Sequence, residues 1–272
     1  MTISSGSVFH HTRKLSSLKS ILKTQTFKVQ YSTEKIYVNN KYCLHIAVPM
    51  VSFCDIPLTD YKNYFRKKRS DNPKIFKYGY YGDFGIALKK EWAIKNGICP
   101  IIYIPKVKED FRKTNSLLNL FKSSAVEKID ANNLGMELHN CNSLTSYIKH
   151  YEGYLDRINR SKKVVSENYC FYNEREWRFV PSDTPILWNF YNDLTDTFGK
   201  TNKIKTNKAL KIPLAFSIFK DVSLIIVKKD DNIPDIVNIL KDLKEKSEFQ
   251  FEKKLQILCS KIVTTEQLME DF

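Results

Sequence analysis

The stretch Ser7-Val8-Phe9-His10-His11-Thr12-Arg13-Lys14-Leu15-Ser16-Ser17-Leu18-Lys19-Ser20-Ile21-Leu22 changes its period halfway along. Residues 8–12 read as a short first strand. Leu15, Leu18, Ile21 and Leu22 then recur at the spacing of one helix face, with Ser16 or Ser17 placed to cap it. In a strand, His10 and Thr12 share one face and His11 points to the other. A histidine there can hydrogen-bond a sugar hydroxyl or serve as an acid or base. Equally, two histidines can simply stand packed or solvated at a sheet edge.

Outward from this opening, Phe27, Val29, Tyr31 and Thr33 alternate with Lys28, Gln30 and Ser32, as in a half-buried strand. Further strands are expected over residues 45–53, 84–88, 101–104, 169–180 and 222–227. Helices are expected over 89–96, with Gly97 as the left-handed stop, and over 233–244, with Pro234 in the first turn. Thr264 and Gln267 have capping-box spacing for a last helix. Between residues 107 and 163 the pattern turns helical, and Leu144, Tyr147, Ile148, Tyr151, Leu155 and Ile158 mark one stripe at the helical period. Strands, a helical stretch, then strands again make an α+β chain. The expected organisation is a single domain over 1–272 with a mainly helical insertion at about 107–165.

Composition narrows the function. The chain has 272 residues, of which 42% are hydrophobic and 13% aromatic, enough for a sizeable core. Only eight residues are glycine, and neither a GxGxxG turn nor a GxxxxGK[ST] loop occurs, which excludes dinucleotide-fold and P-loop readings. The six cysteines form no CxxC pair and no His/Cys cluster with zinc spacing, so no metal is expected and the thiols read as reduced packing residues of a cytoplasmic protein. No apolar run approaches the ~20 residues of a membrane span, and residues 1–13 lack the apolar core of a signal peptide. Lys+Arg 44 against Asp+Glu 30 leaves +14, which favours a polyanionic partner such as nucleic acid. Much of that excess is Lys in a chain also rich in Asn and Ile, as AT-rich coding produces.

Three further stretches carry candidate chemistry. Asn173-Glu174-Arg175-Glu176-Trp177-Arg178-Phe179, read as strand, puts Glu174, Glu176 and Arg178 on one face. Two carboxylates on one face repel unless solvated, paired with Arg178 or kept for use; a carboxylate here can stabilise a sugar cation as a glycosidic bond breaks. An exposed Glu–Arg pair is the plainer alternative. Residues 61–81 interleave Arg66, Lys67, Lys68, Arg69, Lys74 and Lys77 with Tyr64, Phe65, Phe76, Tyr78, Tyr80 and Tyr81, a composition suited to single-stranded nucleic acid or to a basic loop with its rings tucked onto the core. In Ser52-Phe53-Cys54-Asp55-Ile56-Pro57, Asp55 is expected to close a local turn and Ser52 to reach a cleft. Cys54 has no clear partner as a nucleophile.

Together these residues resemble known families. Phe9-His10-His11-Thr12 followed by Leu15, Leu18, Ile21 and Leu22 is similar to the H-x-T strand and following helix of ADP-ribosyltransferase-like proteins, the DarT-type DNA modifiers among them. Over nearly the whole chain the sequence more closely resembles the abortive-infection (phage-resistance) AbiGi family. That resemblance is carried by residues 52–58, Tyr81-Gly82-Asp83-Phe84-Gly85-Ile86, Lys90-Glu91-Trp92, Pro100-Ile101-Ile102-Tyr103, residues 174–178 and Lys261-Ile262-Val263-Thr264. The transferase resemblance implies a split β-sheet core and NAD as substrate. It implies catalytic roles for Glu176 and His10, with Glu174 completing an E-x-E pair, and NAD contacts from His10, Thr12 and either Tyr31 or Ser52. Arg66, Lys67, Lys68, Arg69, Lys74 and Lys77 would then hold nucleic acid. The AbiGi resemblance implies a cognate toxin or another defence protein as partner, since such proteins are commonly labelled antitoxins. The expected function is ADP-ribosyl transfer to nucleic acid or an associated protein; the alternative is a non-catalytic antitoxin-like binding module.

Overall fold

The computed structural model describes residues 4–38, 41–60, 81–104, 146–159, 162–184, 187–188, 207, 210–243 and 250–271. In chain order the strands are β1 (Ser7–Thr12), β2 (Thr26–Lys28), β3 (Gln30–Val38), β4 (Lys41–Cys54), β5 (Phe84–Lys89), β6 (Cys99–Pro100), β7 (Ile102–Ile104) and β8 (Ile148–His150). They continue as β9 (Glu152–Asn159), β10 (Lys162–Cys170), β11 (Glu176–Phe179), β12 (Leu187–Trp188), β13 (Pro213–Ala215), β14 (Val222–Val227) and β15 (Ile262–Thr264). The helices are α1 (Leu15–Thr24), α2 (Lys90–Lys95), α3 (Ile218–Asp221), α4 (Ile233–Asp242), α5 (Phe251–Cys259) and α6 (Thr265–Asp271). None of them is long and apolar enough to cross a membrane. The class is α+β, as the sequence predicts.

A nine-stranded sheet runs β15-β14-β5-β1-β4-β11-β6, with β3 and β12 also paired to β4. Strand alternation divides the core between its faces. Val8, Ile86, Leu88, Ile225 and Val227 join one cluster with Leu18 and Leu22 of α1, Trp92 of α2, Ile236 and Leu240 of α4 and Leu255 of α5. Phe9, Ala87 and Ile226 face the other way and meet Leu268 of α6. Phe27 centres the first cluster, with Phe216 at 5.1 Å and Phe53 at 5.2 Å between ring centroids. The capping box of α6 forms as expected: Thr264 Oγ1 accepts from Gln267 N and Gln267 Oε1 accepts from Thr264 N, both at 3.1 Å.

Four expectations are corrected. The helical stripe through residues 144–158 is described from residue 148 on as two strands, β8 and β9, with a bend at Tyr151. Ile148 pairs with Ile102 in a parallel bridge, and β9 and β10 form an antiparallel pair from Lys162↔Asn159 to Cys170↔Glu152. Tyr, Ile and Val suit a pleated surface, so composition outweighs the helical spacing here; residues 107–145 lie outside the described residues. The single strand expected over 169–180 is broken by a 3-10 turn, Phe171–Glu174, and by Arg175 in the left-handed region at φ 41. Residues 27–33 form two strands with different partners: β2 pairs with β13, a register that Val29 N extends by bonding Ile212 O at 3.2 Å, and β3 pairs with β4. Asp55 makes no local turn bond; it accepts from Ser5 N at 2.8 Å, Ser4 Oγ at 2.9 Å and Lys90 Nζ at 2.7 Å, pinning the N-terminal segment.

β1 is an interior strand, not an edge. It pairs with β5 along its whole length, from Ser7↔Lys89 to Thr12↔Phe84. Its partnership with β4 is recorded at Phe9↔Cys54 alone. Beyond that bridge the strands part, and a cleft opens between residues 10–12 and residues 50–53. Gly82 supports the end of β1: at φ 126 its Cα lies so close to Thr12 that a Cβ would stand 2.1 Å from the Thr12 carbonyl oxygen. His10 and His11 are both half-buried, and burial holds both below 6.5. For His10 the bond to the Ser52 carbonyl partly offsets this, while His11, with the charge of His10 adding to burial, is pushed down to about 3.

Two predictions follow from this strand. Gly82→Ala is expected to destabilise the fold by roughly 1–3 kcal/mol or more, read as a lowered urea midpoint; an unchanged midpoint contradicts the close approach to Thr12. The histidines fold neutral with depressed pKa, so the stability they confer is complete above pH 6.5 and lost as pH falls below it. Urea unfolding should show up to about 2 kcal/mol lost between pH 7 and pH 5 from His11 alone. His11→Gln should flatten that slope; an unaltered slope would show that His11 is not held neutral.

Candidate functional site

Strand order sets the site. β4 lies between β1 and β11, with Phe9↔Cys54 on one side and Glu176↔Cys54 and Arg178↔Ser52 on the other. Three consecutive strands therefore supply His10, Ser52 and Glu176. His10 Nδ1 lies 2.9 Å from the Ser52 carbonyl oxygen, and Ser52 Oγ donates to Glu176 Oε1 at 3.0 Å. A carbonyl only accepts, so Nδ1 carries the proton and the neutral ring keeps Nε2 as its acceptor. The His10 ring is held edge-on by Phe27 at 4.9 Å and Phe53 at 5.7 Å.

β11 is covered on both faces, with Trp177 and Phe179 against the main core. Glu176 and Arg178 point inward at 7% and 0% exposure, while Trp177 and Phe179 on the opposite face are only partly covered. The exposed Glu–Arg face is thus overturned, and the pairing with Arg178 is made in the interior. Arg178 Nε and Nη2 donate to Glu176 Oε1 and Oε2 at 2.7 and 3.1 Å. Its Nη1 donates to the Ser146 carbonyl and its Nη2 to Glu34 Oε1, each at 2.6 Å. Lys149 Nζ bridges Glu176 Oε2 at 2.9 Å and Glu174 Oε2 at 2.5 Å. Glu174 also accepts from Tyr169 OH at 3.1 Å, and the Glu176 backbone N–H donates to Tyr103 OH at 3.0 Å.

Charge balance fixes the ionisation. Burial alone would raise Glu176, but the Arg178 and Lys149 charges beside it outweigh burial and hold it well below the usual carboxylate range. Burial likewise opposes the charged forms of Lys149 and Arg178; their carboxylate neighbours overcome it and raise both. Glu34 goes the other way: burial raises it, against the pull of Arg178 and Lys149. Glu176 is therefore a fixed anion, and Glu34 is the carboxyl of the group that most readily keeps a proton.

The cleft has a volume of about 690 Å³, and its lining includes His10, Thr12, Ser52, Glu174 and Glu176. Five of the six positions expected at the active centre and NAD contacts thus converge. Tyr31 does not: Gln30, Ser32 and Glu34 face the cleft, while Tyr31 turns to the other side of β3 against Ala47 and Leu210. Glu174 reaches the cleft from the 3-10 turn and not by strand alternation. Arg66, Lys67, Lys68, Arg69, Lys74 and Lys77 lie outside the described residues. Sequence reasoning missed Lys149, Glu34, Tyr103 and Tyr169. Lys149 sat in a stretch read as helix, and Glu34 was one polar residue among several in an alternating strand. The other wall of the cleft is hydroxyl-rich, with Ser16, Ser20 and Thr24 at every fourth position of α1.

No solved structure matches the chain. A protein from Lactococcus lactis subsp. cremoris described as "Abortive phage resistance protein AbiGi" is 26% identical over 244 residues, covering 83% of this chain and 89% of its own length. Residues 18–228 match the family model described as "Putative abortive phage resistance protein AbiGi, antitoxin". That match spans Ser52, Glu174 and Glu176 and begins after His10. Extending over more than half of the sequence, it places the chain plainly: this protein belongs to the AbiGi family.

Proposed function

We propose that this protein acts in antiphage defence and that its cleft binds NAD as substrate, transferring ADP-ribose to nucleic acid or to a protein associated with it. The observation that carries the reading is the hydrogen-bonded chain His10–Ser52–Glu176 across three adjacent strands at the wall of one cleft. The match to the AbiGi family, whose model is described as abortive phage resistance, supports the defence role. The transferase resemblance supports a split core, and the parting of β1 from β4 is where such an opening would lie.

In the proposed reaction the bond between the ribose C1′ and the nicotinamide nitrogen breaks, and its electron pair leaves with nicotinamide. The cationic sugar that develops is stabilised by the Glu176 carboxylate. An acceptor lone pair then forms the new bond to C1′, and the acceptor's proton passes to solvent. Glu176 suits the electrostatic part of this work because it is ionised throughout the physiological range. It does not suit proton transfer, which requires a pKa near the working pH. His10, neutral and with Nε2 as acceptor, would take a ribose hydroxyl, with Thr12 beside it on the cleft wall. Glu174 supplies the second carboxylate of the floor.

One observation favours a second reading. Glu176 already accepts from four donors: Ser52 Oγ, Arg178 Nε, Arg178 Nη2 and Lys149 Nζ. A carboxylate so fully engaged fits a structural role, and with it an antitoxin-like module that binds a cognate toxin or nucleic acid without catalysis. The word antitoxin in the family description points the same way.

Glu176→Gln separates the two. The change keeps the shape and removes the charge. Nicotinamide release from NAD, measured with DNA, RNA or lysate as acceptor, is expected to fall at least 100-fold while circular dichroism stays native, since a lost transition-state charge contact costs roughly 3 kcal/mol or more. Full activity in the variant would sink the catalytic assignment. No release by well-folded wild type under any condition would favour the binding module, and capture of a cognate toxin would then be the measurement.

A further inference from the structure

Just outside the cleft, the segment that delivers the carboxylates carries a face the reaction does not use. Tyr151 and Tyr172 stack at 5.2 Å between centroids with their planes 23° apart. Tyr103 stands edge-on to Tyr172 at 5.3 Å. The stacked rings are 42% and 44% exposed. Large rings are normally covered, so stacked ones left this open mark a contact surface. The platform is rigid. Tyr172 N bonds Tyr151 O at 3.0 Å, Tyr151 N bonds Ile104 O at 2.7 Å and Ile102 N bonds Tyr147 O at 2.7 Å.

Its chemistry comes from four residues. In the turn Tyr172-Asn173-Glu174-Arg175, Glu174 is buried and lines the cleft, Tyr172 and Asn173 are exposed, and Arg175 is half-buried. A planar ring stacks on a base, an amide offers a donor and an acceptor to a base edge, and a guanidinium attracts phosphate. The chain's +14 supplies the long-range attraction to a polyanion. We propose that the Tyr151–Tyr172 platform, with Asn173 and Arg175, is a stacking site for an unpaired base of single-stranded nucleic acid. Duplex DNA or RNA presents no free base face and is disfavoured.

The platform adjoins the catalytic carboxylates through two direct links. Tyr172 and Glu174 belong to one turn, and Tyr103, whose ring braces Tyr172, receives the backbone N–H of Glu176 at its hydroxyl. Tyr172 itself does not line the cleft, but a base held on it stands within one turn of Glu174, which does, and would there serve as an acceptor of ADP-ribose. That role as acceptor site rests on the transferase reading; the binding does not.

The test omits NAD, so that its outcome is independent of transfer. Fluorescein-labelled single strands of about 15 nucleotides, as oligo(dA), oligo(dT) and their RNA counterparts, are titrated with the full chain beside a duplex of equal length, and anisotropy is read. The expected results are tighter binding of a single strand than of the duplex and a loss of about tenfold or more in Tyr172→Ala and Tyr151→Ala. Tyr172→Phe should restore affinity, and the salt dependence should be unchanged in the tyrosine variants, because stacking releases no counterions. Matching thermal melts exclude a folding defect. Three results would overturn the proposal: no binding by wild type, equal affinity for duplex, or unaltered affinity in both alanine variants. Variants that bind oligonucleotide normally but lose a protein partner would reassign the platform to protein docking.

Discussion

A guanidinium without contact with water must be surrounded by acceptors, and most of the site is the answer to that requirement at Arg178. Its donors reach Glu176 on its own strand, Glu34 on β3 and the Ser146 carbonyl ahead of β8. One side chain thus ties three segments remote in sequence to one point. A buried ion pair is weak evidence of stability, because the cost of desolvation consumes much of the attraction. Its value here is positional: breaking any arm leaves a buried charge without its partner, so few alternative arrangements compete.

The group does not balance. Glu34, Glu174 and Glu176 face Lys149 and Arg178, which leaves one carboxylate in excess. The opposite directions of Glu176 and Glu34 show where the excess settles. Glu176 holds its charge because Arg178 grips both its oxygens and Lys149 shares one, while Glu34 has a single contact with Arg178 and is raised. Such titrations belong to the group as a whole. The carboxylate at the wall of the cleft is kept ionised at the expense of the one at its edge.

Much of the frame was legible in the sequence. The switch of period between residues 12 and 15 marked β1 and α1, the alternation around Phe27 marked a half-buried strand, and the apolar run from Val222 marked the interior strand β14. His10, Ser52 and Glu176 could be named because each sits in a short run of distinctive residues. What failed was long-range. The spacing of Leu144, Tyr147, Ile148, Tyr151, Leu155 and Ile158 satisfies a helix, and only the pairing of Ile148 with Ile102 and of β9 with β10 decides for strand. That error hid Lys149. The burial of the charged face of β11 was likewise invisible, since alternation tells which residues share a face but not which face is inside. Trp177 and Phe179 do pack against the main core, and the charged face is buried as well.

Ser52 shows how the two halves of the cleft are joined without being fused. Its carbonyl receives His10 and its hydroxyl gives to Glu176, so the main chain serves one arm and the side chain the other. β4 can hold β1 at one bridge, let it diverge, and still fix the distance from imidazole to carboxylate. The result is a cleft wall with paired carboxylates at its surface within a chain of net +14. For a reaction that develops positive charge on a sugar while its reactants carry phosphates, that division is the favourable one. In the proposed transfer, the positive net charge would draw the phosphates in and the carboxylates would meet the cation where it forms.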